Sequence, residues 1–297
     1  MLSQNKKINI IGAAQGWGAQ LHQTELGAEA FYQANVSANN ASWHKIIYPT
    51  LRHVNQPAKD ALLNYSQRLQ QIIHFNQALA KELHQENKTD QFNVVLGGDH
   101  SIAIGTWSGM ISSLSAQKQF GLLWIDAHLD SHTPDTTSSH AIHGMPLAVL
   151  LGSGEPELVN LIQPGAKLLP SHVVLFGVRS FEPEEAAYLA SLKVRIYNME
   201  EIRDRGIDVC FQEAIERVSL APKGFGLSID LDAFDPLEAP GVGSPEPHGL
   251  FSDGLLPELK KAFESPKLKA LEIVEYNPTR EIDQKTIKLT QKILRLL

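Results

Sequence analysis

The sequence predicts a three-layer α/β/α fold with a central, largely parallel sheet. Short apolar runs alternate with amphipathic stretches along the whole 297-residue chain, which is the pattern of repeated strand–helix–strand units. The apolar runs are also nearly continuous in hydrophobic character, as in parallel strands that helices cover on both faces. Because no linker, low-complexity tract or internal repeat interrupts this pattern, we expect residues 1–297 to form a single domain.

The composition narrows the class of protein. Hydrophobic residues make up 43% of the chain and charged residues 20%, which is ordinary for a soluble globular protein. A net charge of −7 argues against a nucleic-acid partner. No apolar run is long enough to cross a membrane, and residues 1–9 lack a signal-peptide core. Cys210 is the only cysteine, so we expect no internal disulfide and a cytoplasmic location.

In the first half of the chain, apolar runs that end at glycines or charged residues predict strands. They lie at residues 7–12, from residue 92 onward, and at 120–125. Hydrophobic residues at helical spacing predict a helix over 58–86, and the apolar stretch 145–151 predicts a buried helix. The glycine-rich loop at 12–27 lacks GxGxxG spacing, so it does not indicate a dinucleotide site.

The second half repeats the alternation. Apolar runs predict strands at 172–178, 194–197, 225–230 and 268–275. Amphipathic spacing predicts helices at 183–192, which has Pro183 in its first turn, and at 199–205, 209–218, 254–264 and 285–297. Residues 130–143 and 236–252 have neither pattern, and irregular segments of this length are usually functional.

One predicted strand is followed by an unusual concentration of residues that can bind metals or transfer protons. The apolar run 120–125 is followed directly by Asp126, His128 and Asp130. In an extended segment these alternate residues point to one side, at the edge where open α/β sheets bind ligands. Taken alone, such a strand end is explained equally well by solvated polar residues that cap a strand.

Three more strand ends have the same character. Asp99 and His100 follow one strand, Asp230 and Asp232 end another, and Glu275 ends a third. Carboxylates crowded at one sheet edge raise one another's pKa unless a cation neutralises them, so these residues together predict a metal site.

The donor set indicates the kind of metal. Four aspartates and two histidines of this set are six donors, which is more than one tetrahedral zinc needs. A majority of oxygen ligands with some imidazole suits manganese. Two carboxylates able to bridge predict a two-metal centre with ions roughly 3.5–4 Å apart. Such a centre produces a hydroxide near neutral pH, so hydrolysis is the expected reaction class.

The chain resembles the ureohydrolase superfamily, and within it the arginases, in five motifs that occur in the family's order. These are GGDHS at 97–101, DAHLD at 126–130, HGMP at 143–146, SIDLD at 228–232 with Asp235 and Pro236, and EYNP at 275–278.

The resemblance implies two Mn²⁺ ions per subunit and six ligands. His100 and Asp130 would bind one ion, His128 and Asp232 the other, and Asp126 and Asp230 both. Asp130 would also orient the bridging hydroxide. Asp99 and Asp235 are interpreted as structural.

The resemblance also implies catalytic roles outside the metal shell. Glu275 would pair with the guanidinium, a planar group of N–H donors that suits a carboxylate. His143 would shuttle protons. Hydroxide would attack the guanidinium carbon, and urea would leave from a protonated amine. The family further implies a homo-oligomer, either a trimer or a hexamer.

The substrate-binding residues depart from the family's pattern. Thr137 and Ser139 retain the hydroxyls expected to grip an α-carboxylate. His132 and Ala141 stand where arginases usually have asparagines, and Glu182 stands where they have an aspartate facing the α-amino group. We expect His132, Thr137, Ser139 and Glu182 to bind substrate together with Glu275, and we expect hydrolysis of L-arginine to urea and L-ornithine.

Two alternatives remain open at this stage. The chain could be an agmatinase or another ureohydrolase of guanidino compounds, although agmatine has no carboxylate for the hydroxyls to grip. It could also be a non-catalytic metal-binding relative, against which the complete ligand set argues. A two-metal phosphoesterase would need a later Gly-Asn-His motif, which the sequence lacks.

Overall fold

A computed structural model of the protein describes residues 7–19, 23–50, 63–86 and 91–297. Eight strands are found in these residues: β1 Ile8–Ala13, β2 Ala41–Ile47, β3 Phe92–Leu96, β4 Gly121–Ile125, β5 Val173–Val178, β6 Arg195–Asn198, β7 Phe225–Asp230 and β8 Leu268–Val274. They form one sheet in the order β2-β1-β3-β8-β7-β4-β5-β6. Every pairing between neighbouring strands is parallel, so the predicted parallel sheet is confirmed.

Ten α-helices occur in the same part of the chain: α1 Gly27–Gln33, α2 Tyr65–Glu86, α3 Ala103–Ser113, α4 Pro146–Leu150, α5 Pro156–Val159, α6 Pro183–Ser191, α7 Met199–Arg205, α8 Ile207–Val218, α9 Ser252–Phe263 and α10 Lys285–Leu294. Short 3-10 helices lie at Thr24–Leu26, His100–Ile102, Ile142–Gly144, Pro170–His172, Leu231–Ala233 and Pro278–Arg280. None of the described helices is long and apolar enough to span a membrane.

The hydrophobic core lies in two layers, one on each face of the sheet. Leu123 and Ile125 of β4 face the layer that contains apolar residues of α1, α7, α8, α9 and α10. Leu122 and Trp124 of the same strand face the layer formed with α2, α3, α4 and α6. This alternation along a fully buried strand is the physical basis of the three-layer architecture, and it confirms the predicted fold class.

The sequence patterns missed the two short helices α1 and α5, the helix α3 and the strand β2. Helix α3 is almost wholly buried, so it has no polar face to reveal its period. It packs tightly on α2: a Cβ at Gly109 would lie 2.5 Å from Ala80 O, and Gly105 N donates to Asn76 Oδ1 at 2.6 Å. Strand β2 lies at an edge of the sheet, and its half-exposed residues lack a continuous apolar run.

The remaining differences concern boundaries. Helix α2 begins at Tyr65 in the described residues, and 58–62 of its predicted range lie outside them. Helix α10 ends at Leu294, before the predicted end at 297. Strand β8 ends at Val274, which places Glu275 just beyond the strand. The strand ends that carry the acidic residues belong to β3, β8, β7 and β4, which are consecutive neighbours in the sheet.

Candidate metal centre and active-site pocket

The neighbouring strand ends bring three carboxylates around one imidazole. His100 Nδ1 lies 3.1 Å from Asp126 Oδ2, 3.0 Å from Asp130 Oδ2 and 3.2 Å from Asp230 Oδ2. All four side chains are buried. One ligand atom from each of His100, Asp126 and Asp230 lies within 4.8 Å of the other two, and Asp130 Oδ2 adjoins the same nitrogen, which is a donor set that a divalent cation could bind.

A second cluster adjoins the first. His128 Nδ1 lies 3.2 Å from Asp232 Oδ2 and 3.5 Å from Asp126 Oδ1. Asp126 thus offers one oxygen to each cluster, which is the geometry of a bridging ligand. Asp230 has Oδ2 in the first cluster, while its Oδ1 accepts a hydrogen bond from Asp232 N at 2.9 Å. A bridging role for Asp230 remains a prediction.

The polar atoms of the first cluster fit a metal better than they fit one another. His100 Nδ1 and Asp130 Oδ2 are both buried and make no hydrogen bond, although they are 3.0 Å apart. Buried polar atoms without a partner are costly, and a cation between them would satisfy both. Burial and the charge of Asp126 raise the pKa of the Asp130 carboxyl to about 6 in the metal-free protein. The donors present therefore fit a divalent metal.

The backbone reaches this arrangement by a route that the alternation argument did not foresee. Strand β4 ends at Ile125, so the ligands at 126–130 do not continue an extended strand. Asp130 takes a left-handed conformation with φ of 48°, and this residue's backbone turns its carboxylate towards His100. The expectation that Asp126, His128 and Asp130 share one face of an extended segment is therefore wrong in its geometry, although the three side chains do lie near the same centre.

Supporting residues fix the orientation of His100. Its Nε2 lies 2.9 Å from Ser228 Oγ, and Ser228 in turn donates to Glu272 Oε1 at 2.7 Å. The ring also stacks on Trp124 with a centroid distance of 4.0 Å. A hydrogen bond at the far nitrogen directs Nδ1 towards the carboxylates, as is usual for metal-binding histidines. The sequence reasoning assigned no role to Ser228 or Glu272, although a charged residue inside an apolar strand was an available signal.

Asp99 and Asp235 lie outside the two clusters, in agreement with their structural interpretation. Asp99 accepts hydrogen bonds from Gly18 N at 2.8 Å and Ser101 N at 2.9 Å. Asp235 accepts from Leu237 N at 3.0 Å and Gly249 N at 3.1 Å. Both carboxylates therefore hold the loops around the site in place through hydrogen bonds to the backbone.

Glu275 lies beside the clusters and contacts His143. Its Oε1 accepts a hydrogen bond from His100 N at 2.8 Å and lies 3.1 Å from His143 Nδ1. Burial lowers the pKa of His143, but its hydrogen bond with Glu275 and the charge of that carboxylate outweigh burial and raise the pKa to about 9. His143 is therefore a cation at neutral pH in the metal-free protein.

The clusters form the floor of a cavity of about 180 Å³. The lining residues that belong to the two clusters, together with Glu275, are called the floor of the cavity. The remaining lining residues are called its mouth. The floor comprises His128, Asp130, Asp230, Asp232 and Glu275, and the mouth comprises His132, Ser138, Ser139, Ala141, His143, Gly144, Glu182, Glu185 and Ser244.

This architecture and these motifs match known proteins. The model of the Arginase family matches residues 6–297. The chain belongs to the arginase family. The arginase of Bacillus caldovelox is 32% identical over 296 residues, which cover 97% of each chain. The crystal structure of arginase from Bacillus subtilis has a TM-score of 0.87 and 30% identity, and the match covers 98% of this chain and 97% of that one.

A third relative is the crystal structure of Entamoeba histolytica arginase in complex with L-ornithine. It has a TM-score of 0.88 and 27% identity, and the match covers 100% of this chain and 99% of that one. The resemblance predicted from the five motifs is therefore confirmed over nearly the whole chain.

The mouth of this arginase-family chain contains most of the residues predicted to bind substrate. His132, Ser139 and Glu182 line it, whereas Thr137 does not. Thr137 Oγ1 accepts a hydrogen bond from His140 N at 3.0 Å and lies 3.3 Å from Ser139 Oγ, so it holds the loop in shape.

Three polar lining residues received no role in the sequence analysis: Ser138, Glu185 and Ser244. Ser244 lies in the irregular segment 236–252, whose length was its only signal. Glu185 lies one turn into α6, and burial together with its contact to Glu182 raises its pKa to about 8.

Proposed function

We propose that this protein hydrolyses the guanidinium group of L-arginine to urea and L-ornithine, with two Mn²⁺ ions per subunit. The observation that carries the proposal is a single cavity. Residues of two Asp/His clusters and Glu275 line its floor, and carboxyl and hydroxyl groups line its mouth. Such a cavity suits a substrate that has a guanidinium at one end and an amino acid at the other. The similarity to proteins named arginases supports it.

The six predicted ligands would hold the two ions. His100 and Asp130 would bind one, His128 and Asp232 the other, and Asp126 and Asp230 both. When bound, two divalent cations would neutralise the crowded carboxylates and acidify a water molecule enough to make it a nucleophile near neutral pH.

Glu275 orients the guanidinium. One of its oxygens is held by His100 N and His143 Nδ1, so the carboxylate has a fixed direction. A fixed carboxylate pairs with two N–H groups of a planar cation and so places the guanidinium carbon over the floor.

His143 supplies a proton to the departing amine. Its hydrogen bond with Glu275 favours the protonated imidazole and helps to raise its pKa to about 9 in the metal-free protein, so His143 suits the transfer of a proton to the leaving amine. The side chain is 26% exposed, so solvent can restore the proton after each turnover.

The mouth recognises the amino-acid end. The carboxylate of Glu182, whose pKa is lowered by its hydrogen bond with Glu185, attracts the α-ammonium, while Ser138 and Ser139 offer hydroxyls to the α-carboxylate. Ala141 has no polar side chain, so a bridging water replaces the donor that an asparagine would supply. His132 lines the same mouth, and Thr137 acts through its hydroxyl contact with Ser139.

Urea release from L-arginine and from agmatine by the manganese-loaded protein tests this function. We expect faster release from L-arginine, because agmatine has no carboxylate for the serine hydroxyls. Equal or faster release from agmatine would favour an agmatinase, and no urea from any guanidino compound would favour a non-catalytic relative.

We also propose that residues 1–297 form one domain and that the protein works in the cytoplasm as a homotrimer or homohexamer. One sheet carries strands from both halves of the sequence, which supports a single domain. The lone, buried Cys210 suits a reducing compartment. Exposed Leu220 and Leu237 leave apolar surface for subunit contacts. Light scattering during size-exclusion chromatography measures the subunit number.

A further inference from the structure

Gly243 lies directly beside the carboxylate to which we assign the guanidinium. A Cβ atom at position 243 would lie 2.7 Å from Glu275 Oε2, and the next nearest atom would be Thr24 Cγ2 at 3.6 Å. Real Cβ atoms essentially never come within 3.0 Å of another heavy atom in this way. The φ angle of Gly243 is not positive, so the backbone conformation does not itself require glycine. The missing side chain therefore provides space for one atom, Glu275 Oε2.

The backbone on the glycine side of this contact is held in place. Val242 pairs with Tyr276 in an antiparallel bridge. Arg280 Nη1 donates a hydrogen bond to Gly243 O at 2.8 Å, and Gly243 N donates to Glu275 O at 3.3 Å. The glycine segment therefore cannot move away from Glu275 without breaking these contacts.

The backbone and one carboxylate oxygen of Glu275 are held as well. Glu275 has a φ of 65°, a left-handed conformation that is uncommon for a residue with a side chain, and its N donates to Gly98 O at 2.8 Å. Its Oε1 accepts a hydrogen bond from His100 N at 2.8 Å and lies 3.1 Å from His143 Nδ1. A methyl group at position 243 would therefore move Oε2 while Oε1 stays in place, and the plane of the carboxylate would turn.

Such a turn matters more for a guanidinium than for other cations. A guanidinium is planar and pairs with a carboxylate through two parallel N–H···O bonds, so both oxygens must lie close to its plane. An ammonium is a compact charge that makes no such demand.

We propose that Gly243 is a positioning residue for the guanidinium of the substrate. The absence of a side chain at this position lets the Glu275 carboxylate keep the plane in which both of its oxygens pair with the guanidinium. Gly243 acts through Glu275 and not through a contact of its own. This role rests on the proposed function, in which Glu275 orients the guanidinium.

The direct test is calorimetric titration of manganese-loaded Gly243→Ala with guanidinium chloride and with L-norvaline. Guanidinium represents only the end that Glu275 binds, whereas L-norvaline has the amino-acid end and no guanidinium. We expect the Kd for guanidinium to rise roughly tenfold or more, because one hydrogen bond to a charged group is lost. The Kd for L-norvaline and the manganese content should stay the same. An unchanged Kd for guanidinium, or an equal rise for both ligands, overturns the role of Gly243.

Gly254→Ala is the matched control for this titration. Gly254 lies in helix α9 and outside the cavity, and a Cβ there would lie 3.5 Å from Ile207 Cγ2, which is an ordinary contact. Both Kd values should therefore equal those of the unmodified protein.

A shorter acid at position 275 provides a second test. Glu275→Asp withdraws the carboxylate by one methylene, so the methyl group of Gly243→Ala no longer meets it. Gly243→Ala should lower kcat/KM for L-arginine roughly tenfold or more on its own, but less than about twofold in Glu275→Asp protein. The same factor in both backgrounds overturns the contact. If Gly243→Ala alone fails to fold by circular dichroism, the double variant should fold, and its failure to do so would equally overturn the contact.

Calorimetry also separates this role from the proposed function, because binding of guanidinium does not require turnover. If guanidinium binds the unmodified protein more tightly than Gly243→Ala, yet neither protein releases urea from L-arginine, the proposed function is overturned and the role of Gly243 stands.

Discussion

The floor and the mouth of the cavity are built in different ways. Asp230, on the floor, ends β7, while Asp126, in the adjoining metal clusters, follows β4, and both are almost fully buried. Glu182, at the mouth, immediately precedes helix α6 and is 60% exposed. The sheet therefore fixes the groups to which we assign the reaction, while loops and a helix end hold the groups to which we assign the selection of the substrate. Changes on the floor should abolish the reaction, and changes at the mouth should alter which substrate is used.

The largest effect is expected for Asp126→Ala. Asp126 offers one oxygen to each cluster, so its loss removes a ligand from both ions. We expect urea release to disappear and the manganese content to fall. Elemental analysis with circular dichroism separates metal loss from unfolding, and Asp208→Ala on the half-exposed start of α8 is a suitable control. A folded variant with unchanged manganese content would contradict the bridging assignment.

A smaller effect is expected when a supporting residue of the floor is removed. Ser228→Ala leaves all six ligands in place but deprives His100 Nε2 of its partner. We expect manganese affinity to fall roughly 10- to 100-fold, since partners of metal-binding histidines have effects of that size. Dialysis against graded manganese concentrations measures it. Wild-type affinity in Ser228→Ala, with Ser191→Ala as the surface control, would show that Trp124 stacking suffices to orient the ring.

At the mouth, Ser139→Ala should change the KM for L-arginine but not the KM for agmatine. Loss of one hydrogen bond to a charged carboxylate is expected to raise the KM for L-arginine by about tenfold. Agmatine has no carboxylate, so its KM should stay the same. Steady-state urea release from both compounds gives the comparison. An equal change for both substrates would mean that Ser139 acts through the shape of the loop instead, by way of its contacts with Thr137 and Ala141 N.

The smallest effect concerns the pH dependence of stability in the metal-free protein. The pKa of His143 rises from 6.5 to about 9 in the folded state, so its pairing with Glu275 stabilises the fold fully below pH 6.5. That contribution is lost as pH rises through about 9. We expect His143→Gln to lower the free energy of unfolding by about 1–2 kcal/mol at pH 6, a figure discounted for partial exposure. It should have little effect at pH 10. Denaturant titrations at both pH values measure this, and an equal effect at both would exclude the charge contribution.

The difference between the floor and the mouth of the cavity also explains how much of the molecule could be predicted from the sequence. The buried strands β3, β4, β7 and β8 are largely apolar runs, and each is followed or ended by its acidic residues. The fold class and the two-metal interpretation therefore followed from local patterns and short motifs. Helix α3 was missed because complete burial removes the polar face that shows a helical period.

The contacts of the site could not be read from local patterns. Glu272 supports His100 only through Ser228, and those residues are separated by 44 and 128 positions in the chain. At the mouth, His132 likewise contacts Glu182 across 50 residues, and its other ring nitrogen lies beside Thr136 Oγ1. Such contacts depend on which strands and loops become neighbours, and this is a property of the sheet order rather than of any short segment.

Anomalous diffraction from crystals of the manganese-loaded protein tests the central claim most directly. Two manganese peaks per subunit are expected on the floor, one beside His100 Nδ1 and one beside His128 Nδ1, with Asp126 in contact with both. A single peak, or two peaks that share no carboxylate of Asp126, would contradict the two-metal floor on which the proposed hydrolysis depends.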